Sequence, residues 1–312
     1  MQPTDTIPPP PKGAPPPPSR ASIAKSSPAA MPSVAAPTWG KLTPRFSPPR
    51  LVLNGSPGFG KTTMGAYSES PLMVMVGGET GYETLLGSGL VPSVDAARVS
   101  TWPEFLALLD AMIATDTGHR TLTIDTLGGL ERLCHGFVCA RDFGGNWGEN
   151  GEKGFGSYQK GYDVSLVEWQ SMLARLDRLR DVRGTTIVFL SHPKAKEFKN
   201  PLGLNYDRYI IDCDQRTTLA AMLQWSDAIL FGTFRTLVNA GKDGEKKGKG
   251  KGMGGADRVI YTANRDAYVA KNRFLMPDEI EIPDDPASAW SILWAAVTAS
   301  AAASAASTKE NS

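Results

Sequence analysis

Cysteine is nearly absent: the 312 residues include only Cys134, Cys139 and Cys213. Three thiols cannot build a disulfide framework, so the chain reads as a protein of a reducing, cytoplasmic compartment. No apolar run approaches the roughly 18 residues needed to span a bilayer. The N-terminus has no apolar segment of the secretory type. Charge of one sign is also lacking. Lys and Arg number 33 against 32 Asp and Glu, a formal net charge of +1, so any hold on a polyanion must come from local patches. Large apolar side chains are scarce over residues 1–49, which instead hold 15 of the 24 prolines. Such a stretch cannot bury enough surface to offset the entropy of ordering, so 1–49 reads as a disordered, partly polyproline-II tail. A second soft tail, rich in Ala and Ser, is expected over 299–312, leaving 50–298 as one core.

Within that core, short apolar runs alternate with segments of helical periodicity. Leu51–Leu53, Pro71–Val76, Ala97–Val99, Thr121–Asp125 and Thr185–Leu190 read as strands. Thr62–Glu69, Trp102–Ala114, Leu127–Phe143, Val164–Leu179 and Pro286–Val297 read as helices, with another ending at Trp225. Gly144–Tyr162 reads as a loop rich in glycine and aromatics, and His192–Asp214 as a polar loop. Ala228–Phe234 and Arg258–Thr262 look like strands flanking a flexible Lys/Gly loop at 240–256, and Tyr268–Ala270 like one more. The alternation implies an α/β fold: a mainly parallel twisted sheet covered by helices, with a C-terminal β-hairpin at its edge.

One motif carries chemistry. Gly55, Ser56, Pro57, Gly58, Phe59, Gly60, Lys61 and Thr62 fit the GxxxxGK[ST] pattern between a strand and a helix, with Thr63 next in the same turn. Glycines let backbone N–H groups turn inward around phosphates, Lys61 reaches the β- and γ-phosphates, and the Thr62 hydroxyl holds Mg²⁺. ATP and Mg²⁺ are the expected ligands. Asp125, ending an apolar strand, is the matching carboxylate for the metal. Thr126 follows it where many ATPases carry a catalytic Glu, so the water-activating group must come from elsewhere. Glu79 ends the neighbouring strand on the edge where parallel sheets bind ligands, and Glu83 is the fallback. His192, after another strand, is placed to sense the γ-phosphate. Cys134, His135 and Cys139 share one helix at a spacing that matches no common zinc signature, which leaves them a packing role.

The order of phosphate loop, strand ending Gly77-Gly78-Glu79, strand Leu122-Thr123-Ile124-Asp125-Thr126 and strand Val188-Phe189-Leu190-Ser191-His192 resembles the RecA-core ATPases. Over about Arg50–Pro283 it is similar to phage-type AAA-domain nucleotide-binding proteins, and among them to short RecA-core single-strand-annealing proteins. Gly156–Gly161, Asn205–Tyr209 and Trp225–Ala228 are further matching pieces. The resemblance implies an ATPase acting on single-stranded DNA in recombination or annealing. It implies a homo-oligomer with nucleotide at subunit interfaces, and a single-stranded-DNA-binding protein or another replication or recombination protein as a further partner. Lys271-Asn272-Arg273-Phe274 resembles a RadA-like segment, which casts Lys271 and Arg273 as cations acting on a neighbour's nucleotide; Leu275 stands where that segment has glycine. DNA is expected at the loops after the third and fourth core strands. There Trp147, Phe155, Tyr158 and Tyr162 offer stacking faces, while Lys153, Lys160, Lys194, Lys196, Lys199 and Arg208 offer charge. Lys242, Lys246, Lys247, Lys249 and Lys251 form a third candidate patch. A helicase or helicase-loader motor, a small-molecule P-loop kinase and a non-hydrolysing ATP switch remain alternatives. The kinase reading lacks a clear arginine-rich lid.

Overall fold

The computed structural model describes residues 39–41, 46–148, 153–201, 203–238 and 252–310. Contacts divide the chain into Met1–Thr43, of which only 39–41 are described, and Pro44–Ser312, which carries the fold. In chain order the elements begin β1 (Arg50–Gly55), α1 (Lys61–Ala66), β2 (Pro71–Val76), α2 (Gly81–Gly87), β3 (Asp95–Val99), α3 (Trp102–Ala114), β4 (Thr121–Asp125), α4 (Leu127–Phe143) and α5 (Lys160–Arg183). They continue with β5 (Thr186–Ser191), β6 (Pro193–Phe198), β7 (Tyr206–Ile211), α6 (Ala220–Trp225), β8 (Ala228–Val238), β9 (Gly252–Tyr261), β10 (Lys271–Asn272), β11 (Glu279–Ile282) and α7 (Pro286–Glu310).

A nine-stranded sheet runs in the order β11-β9-β8-β1-β5-β4-β2-β3, with β10 paired to β8. The strands from β8 to β3 in that order pair in parallel, and β9, β10 and β11 pair antiparallel. Both faces of the central parallel strands β1, β2, β4 and β5 are buried, which is why they read as continuous apolar runs, while β3 at the edge is largely exposed. Val52, Ile124, Ile187 and Phe189 face α3, α4 and α5, where Trp102 and Trp169 stack with centroids 6.0 Å apart. Leu51, Leu53, Val188, Leu190 and Ile260 face α1 and α7. Thr101 and Glu104 form a reciprocal capping box at the start of α3. Gly144 and Gly184, at φ +59° and +69°, end α4 and α5 in the left-handed region.

Five sequence expectations need correction. The polar loop of 192–214 is an antiparallel hairpin, β6 with β7, followed by a π-helical turn at Gln215–Leu219 that Asp214 caps. Alternating side chains stabilise it as a strand pair without a wholly buried face, so its apolar signal is weak. The glycine/aromatic loop ends earlier than expected, because Ser157–Gln159 forms a 3₁₀ turn and α5 already begins at Lys160. Tyr268 makes only isolated bridges, and the short strand there starts at Lys271. The terminal helix continues to Glu310, past the tail boundary expected at 299, as the high helix propensity of alanine allows. Strand β9 also takes in 252–256, part of the expected Lys/Gly loop. Lys242, Lys246, Lys247, Lys249 and Lys251 lie outside the described residues.

The antiparallel hairpin β8–β9 presses on the turn after β1. The Phe59 ring is fully buried, and a Cβ built on Gly232 would stand 2.6 Å from it. Central-strand backbone cannot withdraw from such a contact. Gly232→Ala is therefore expected to lose about 1–3 kcal/mol of stability, the usual cost of overpacking, read as a lower denaturant midpoint at unchanged slope.

Candidate functional site

The turn from β1 to α1 runs through Ser56–Gly60, with Gly58 and Gly60 at φ +76° and +98°. These angles belong to glycine, and they let successive backbone N–H groups face one concavity. Ser56 N–H donates to Gly232 O at 2.9 Å, which ties the turn to β8. Lys61 is 7% exposed, and its ammonium donates to Gly55 O at 2.6 Å and Ser56 O at 3.2 Å. Burial lowers its pKa to about 8, against the pull of Asp125 and Glu79. It therefore remains mostly cationic near neutral pH.

Asp125 lies at the end of β4 and accepts the Thr62 hydroxyl at 2.8 Å. Burial pushes its carboxyl up to about 6, with the Thr62 hydrogen bond acting in the opposite direction and Glu79 adding repulsion. Glu79 follows β2 and folds back so that Oε1 accepts the N–H groups of Thr80, at 3.1 Å, and Gly81, at 2.9 Å. Its Oε2 has no hydrogen-bond partner among the described residues. His192 follows β5, and its pKa is lowered by partial desolvation and then by Lys61. A cavity of about 330 Å³ gathers Gly58, Lys61, Thr62, Glu79, Asp125 and His192. These six residues, from four separate strand ends, thus converge on the C-terminal edge of the parallel sheet, where such sheets bind ligands. Glu83, the fallback carboxylate, is turned away onto Arg98, whose Nε donates to it at 2.6 Å.

Oxygen donors suit Mg²⁺, and the Thr62 hydroxyl and Asp125 carboxylate already meet. Among the described residues no three His, Cys, Asp or Glu side chains cluster as a metal cage. Mg²⁺ characteristically takes one or two carboxylates together with substrate phosphates, which is what this site offers.

Other expected residues are placed elsewhere. Lys271 Nζ donates to Leu223 O at 2.5 Å and Gln224 O at 3.3 Å, and Arg273 reaches Gln224 O and Asp227. Both do point the same way, but toward the C-terminus of α6. Asn272 pairs with Ala228 and Lys271 with Ile229 at the start of β8, the sheet end opposite the phosphate loop. Arg208 clamps the 264–268 segment, donating to Asn264, Arg265 O and Tyr268 O, which removes it from the free cations. Lys194 pairs with Asp212 at 3.2 Å, and Lys196 donates to Gln215. Lys153 and Lys199 are exposed. Lys160 lies 5.7 Å from the ring centre of Tyr158, which is 77% exposed. Phe155 is no stacking face: it is buried among Phe143, Trp147, Tyr162 and His135. That aromatic packing and burial, which lowers its pKa to about 4, account for His135. Cys134 and Cys139 are buried in the same helix.

Sequence reasoning missed three arginines. Arg132 and Arg216 join Lys194, Lys196, Asp212 and His135 around a second cavity of about 490 Å³. Arg258 packs directly behind the phosphate loop, donating to Phe59 O at 3.3 Å. No spacing rule points to any of them, because helix α4, the π-helical turn and strand β9 bring them in from separate parts of the chain.

The AAA-domain family matches residues 47–274. The chain belongs to that family. Its matched span takes in the phosphate loop, Asp125, Glu79 and His192, and stops at Phe274, before β11 and α7. No curated protein matches the chain. Among solved structures, the crystal structure of the RadB recombinase is similar at 12% identity and a TM-score of 0.40, over 76% of this chain and 87% of that one.

The AAA-domain site has a measurable electrostatic cost. Unfolded, Asp125 ionises near 3.8; folded, near 6. The native state thus holds its proton more tightly, and ionisation destabilises the fold progressively from pH 4 to 6. The pull of Lys61 is already included in that balance. Asp125→Asn should therefore match the wild type near pH 3.5 and exceed it by about 2–3 kcal/mol above pH 6 without nucleotide. Denaturant melts across that range measure the difference.

Proposed function

We propose that the protein binds ATP with Mg²⁺ at the β1–α1 loop, hydrolyses it, and couples turnover to single-stranded DNA as a homo-oligomer in recombination or strand annealing. The observation that carries the reading is the convergence of Lys61, Thr62, Glu79, Asp125 and His192 on one cavity. In this reading the inward N–H groups of the loop and the Lys61 ammonium hold the β- and γ-phosphates. Thr62 and Asp125 hold Mg²⁺, which when bound neutralises charge developing on the phosphate oxygens. Glu79 has one oxygen fixed by two backbone N–H groups and the other free, an arrangement suited to orienting the attacking water. His192 stands between this cavity and the β6–β7 hairpin, where loss of the γ-phosphate can be passed on: its carbonyl accepts the Asp212 N–H at 3.0 Å.

DNA contact is supported by exposed rings beside cations. Tyr158 lies beside Lys160, Trp147 is 53% exposed, and Lys194, Lys196 and Lys199 are exposed on the β6–β7 hairpin. Stacking without base-edge readout gives little sequence preference. Lys271 and Arg273 are assigned to a neighbouring subunit's nucleotide; the Arg273 side chain is 51% exposed despite its contacts within the chain.

ATP turnover with and without single-stranded DNA tests the reading. Stimulation by DNA supports it, turnover that requires a small acceptor makes the protein a kinase, and binding without turnover makes it a switch. Glu79→Gln is expected to keep ATP binding while turnover falls by roughly 10²–10⁴-fold. Equal turnover in that variant removes Glu79 from the mechanism. Lys61→Ala and Arg273→Ala should each be inactive alone and recover activity when mixed, because a mixed interface pairs an intact loop with an intact cation. A mixture as inactive as its parts removes the trans assignment.

A further inference from the structure

The peptide between Phe59 and Gly60 has an unusual degree of restraint on one side only. Its carbonyl accepts from Arg258 Nη1 at 3.3 Å. A trans peptide is planar, with C=O and N–H on opposite edges, so a carbonyl held outward turns the Gly60 N–H the other way. Gly60 lines the 330 Å³ cavity, and its N–H has no partner among the described residues. The flanks of this peptide are already fixed. The Phe59 ring is buried against Gly232 and lies 6.4 Å, centre to centre, from Phe234, and Lys61 opens α1. Rotation of the peptide plane itself is the freedom left, and glycine at φ +98° does little to oppose it.

Arg258 is well placed to oppose it. It belongs to β9, outside the phosphate-loop motif, and its side chain is 12% exposed. Its other terminal nitrogen, Nη2, donates to Pro283 O and stands 3.6 Å from Asp284. The guanidinium fork is thus anchored at the root of α7 while it grips the loop. A Cβ on Gly60 would lie 2.9 Å from Nη1, so the guanidinium packs directly on the loop backbone.

We infer that Arg258 is a positioning residue for the phosphate loop: it holds the Phe59 carbonyl outward and so presents the Gly60 N–H to the phosphates of a bound nucleotide. The inference rests on the reading of this loop as the nucleotide site. The geometry asks for a planar fork. Lysine keeps the charge and the apolar stem but cannot grip Phe59 O and Pro283 O together.

The test uses the full chain with Arg258→Lys, Arg258→Met and Asp284→Ala. Asp284 is 95% exposed at its side chain, so its loss cuts only the salt link to the α7 root. Binding of Mg·ATP and of inorganic tripolyphosphate is measured by calorimetry, alongside melting of the nucleotide-free protein and steady-state turnover. Arg258→Lys and Arg258→Met should bind both ligands about tenfold more weakly, as expected for loss of a charge-assisted hydrogen bond that orients the loop. The ratio between the two ligands should stay at its wild-type value, because the base is not involved. KM should rise with kcat nearly kept, the mark of lost uniform binding. Asp284→Ala should bind like the wild type. Wild-type affinity in Arg258→Lys with a lowered melting point reduces Arg258 to a staple between β9 and α7 and overturns the inference. An equal loss in Asp284→Ala overturns it too. If the wild type binds neither ligand and Lys61→Ala changes nothing, the nucleotide reading falls and takes this inference with it. Normal wild-type binding that Lys61→Ala destroys and Arg258→Met leaves intact sinks this inference alone.

Discussion

Burying the Lys61 ammonium is the constraint around which this end of the molecule is organised. An amine 7% exposed loses most of its hydration, and two backbone carbonyls of the loop replace only part of it. Carboxylates must stand close enough to keep it charged, yet must not neutralise it so well that an incoming phosphate gains nothing. Asp125 and Glu79 fill that role from neighbouring strand ends, and each carries its own cost. Burial drives Asp125 toward protonation, and repulsion from Glu79 adds to it. Among the described residues, the charges of this site are thus only partly satisfied by other protein groups. In the proposed reading, a polyanion with a divalent cation would complete both halves at once, supplying negative charge to Lys61 and positive charge to Asp125.

Such a site must be held open by its surroundings, since its own electrostatics do not favour it. The parallel strands fix where Asp125, Glu79 and His192 leave the sheet. The loop itself is held by the antiparallel addition: Ser56 N–H on Gly232 O, the Phe59 ring against Gly232, and Arg258 on Phe59 O. Strands β8 and β9 are therefore more than an edge extension. They form the wall against which the phosphate loop is shaped, and the arrangement joins the two halves of the chain through contacts between residues 56–60 and 232–258.

What was legible in the sequence follows from how local its causes are. GxxxxGK[ST] between an apolar strand and a helix is a local pattern, and the loop formed as read. Helices α3 and α4 span the residues their apolar periodicity marked, and in the structure Thr101 with Glu104 caps one while Gly144 closes the other. Glu79 and Asp125 could be placed on one edge once the strands were taken as parallel. The hairpin β6–β7 was not legible, because β6 is largely exposed, β7 buries only Ile210 and Ile211 at its end, and the two mix Lys, Glu, Asp and Arg with a weak apolar signal. Phe155 and Arg208 were misjudged for a related reason. Burial of a ring among other rings, and a guanidinium spent on carbonyls of a distant turn, depend on tertiary contacts over tens of residues. Arg258 was invisible for the same cause, lying almost two hundred residues from the carbonyl it holds.

The opposite end of the sheet shows how the same residue types can be fully occupied. There Arg50 forks onto Asp227 at 2.7 and 3.0 Å and reaches Asp177 at 3.2 Å, while Trp225 donates to Asp177 and lies under the Arg50 guanidinium. Lys271 and Arg273 add their charge beside the last carbonyls of α6, the end of a helix that favours cations. Each cation here has a partner, in contrast to the unmet charges around Lys61. In the proposed trans role, a neighbour's phosphate would have to displace backbone carbonyls from Lys271, and both the Gln224 carbonyl and the Asp227 carboxylate from Arg273. A carbonyl carries only partial charge and a phosphate a full one, which favours that exchange at Lys271; at Arg273 the phosphate would compete with the full charge of Asp227, which Arg50 also holds. In that proposed role the exposed half of Arg273 is the part able to meet a phosphate first, and Lys271, held at 2.5 Å, is the part that would have to be released.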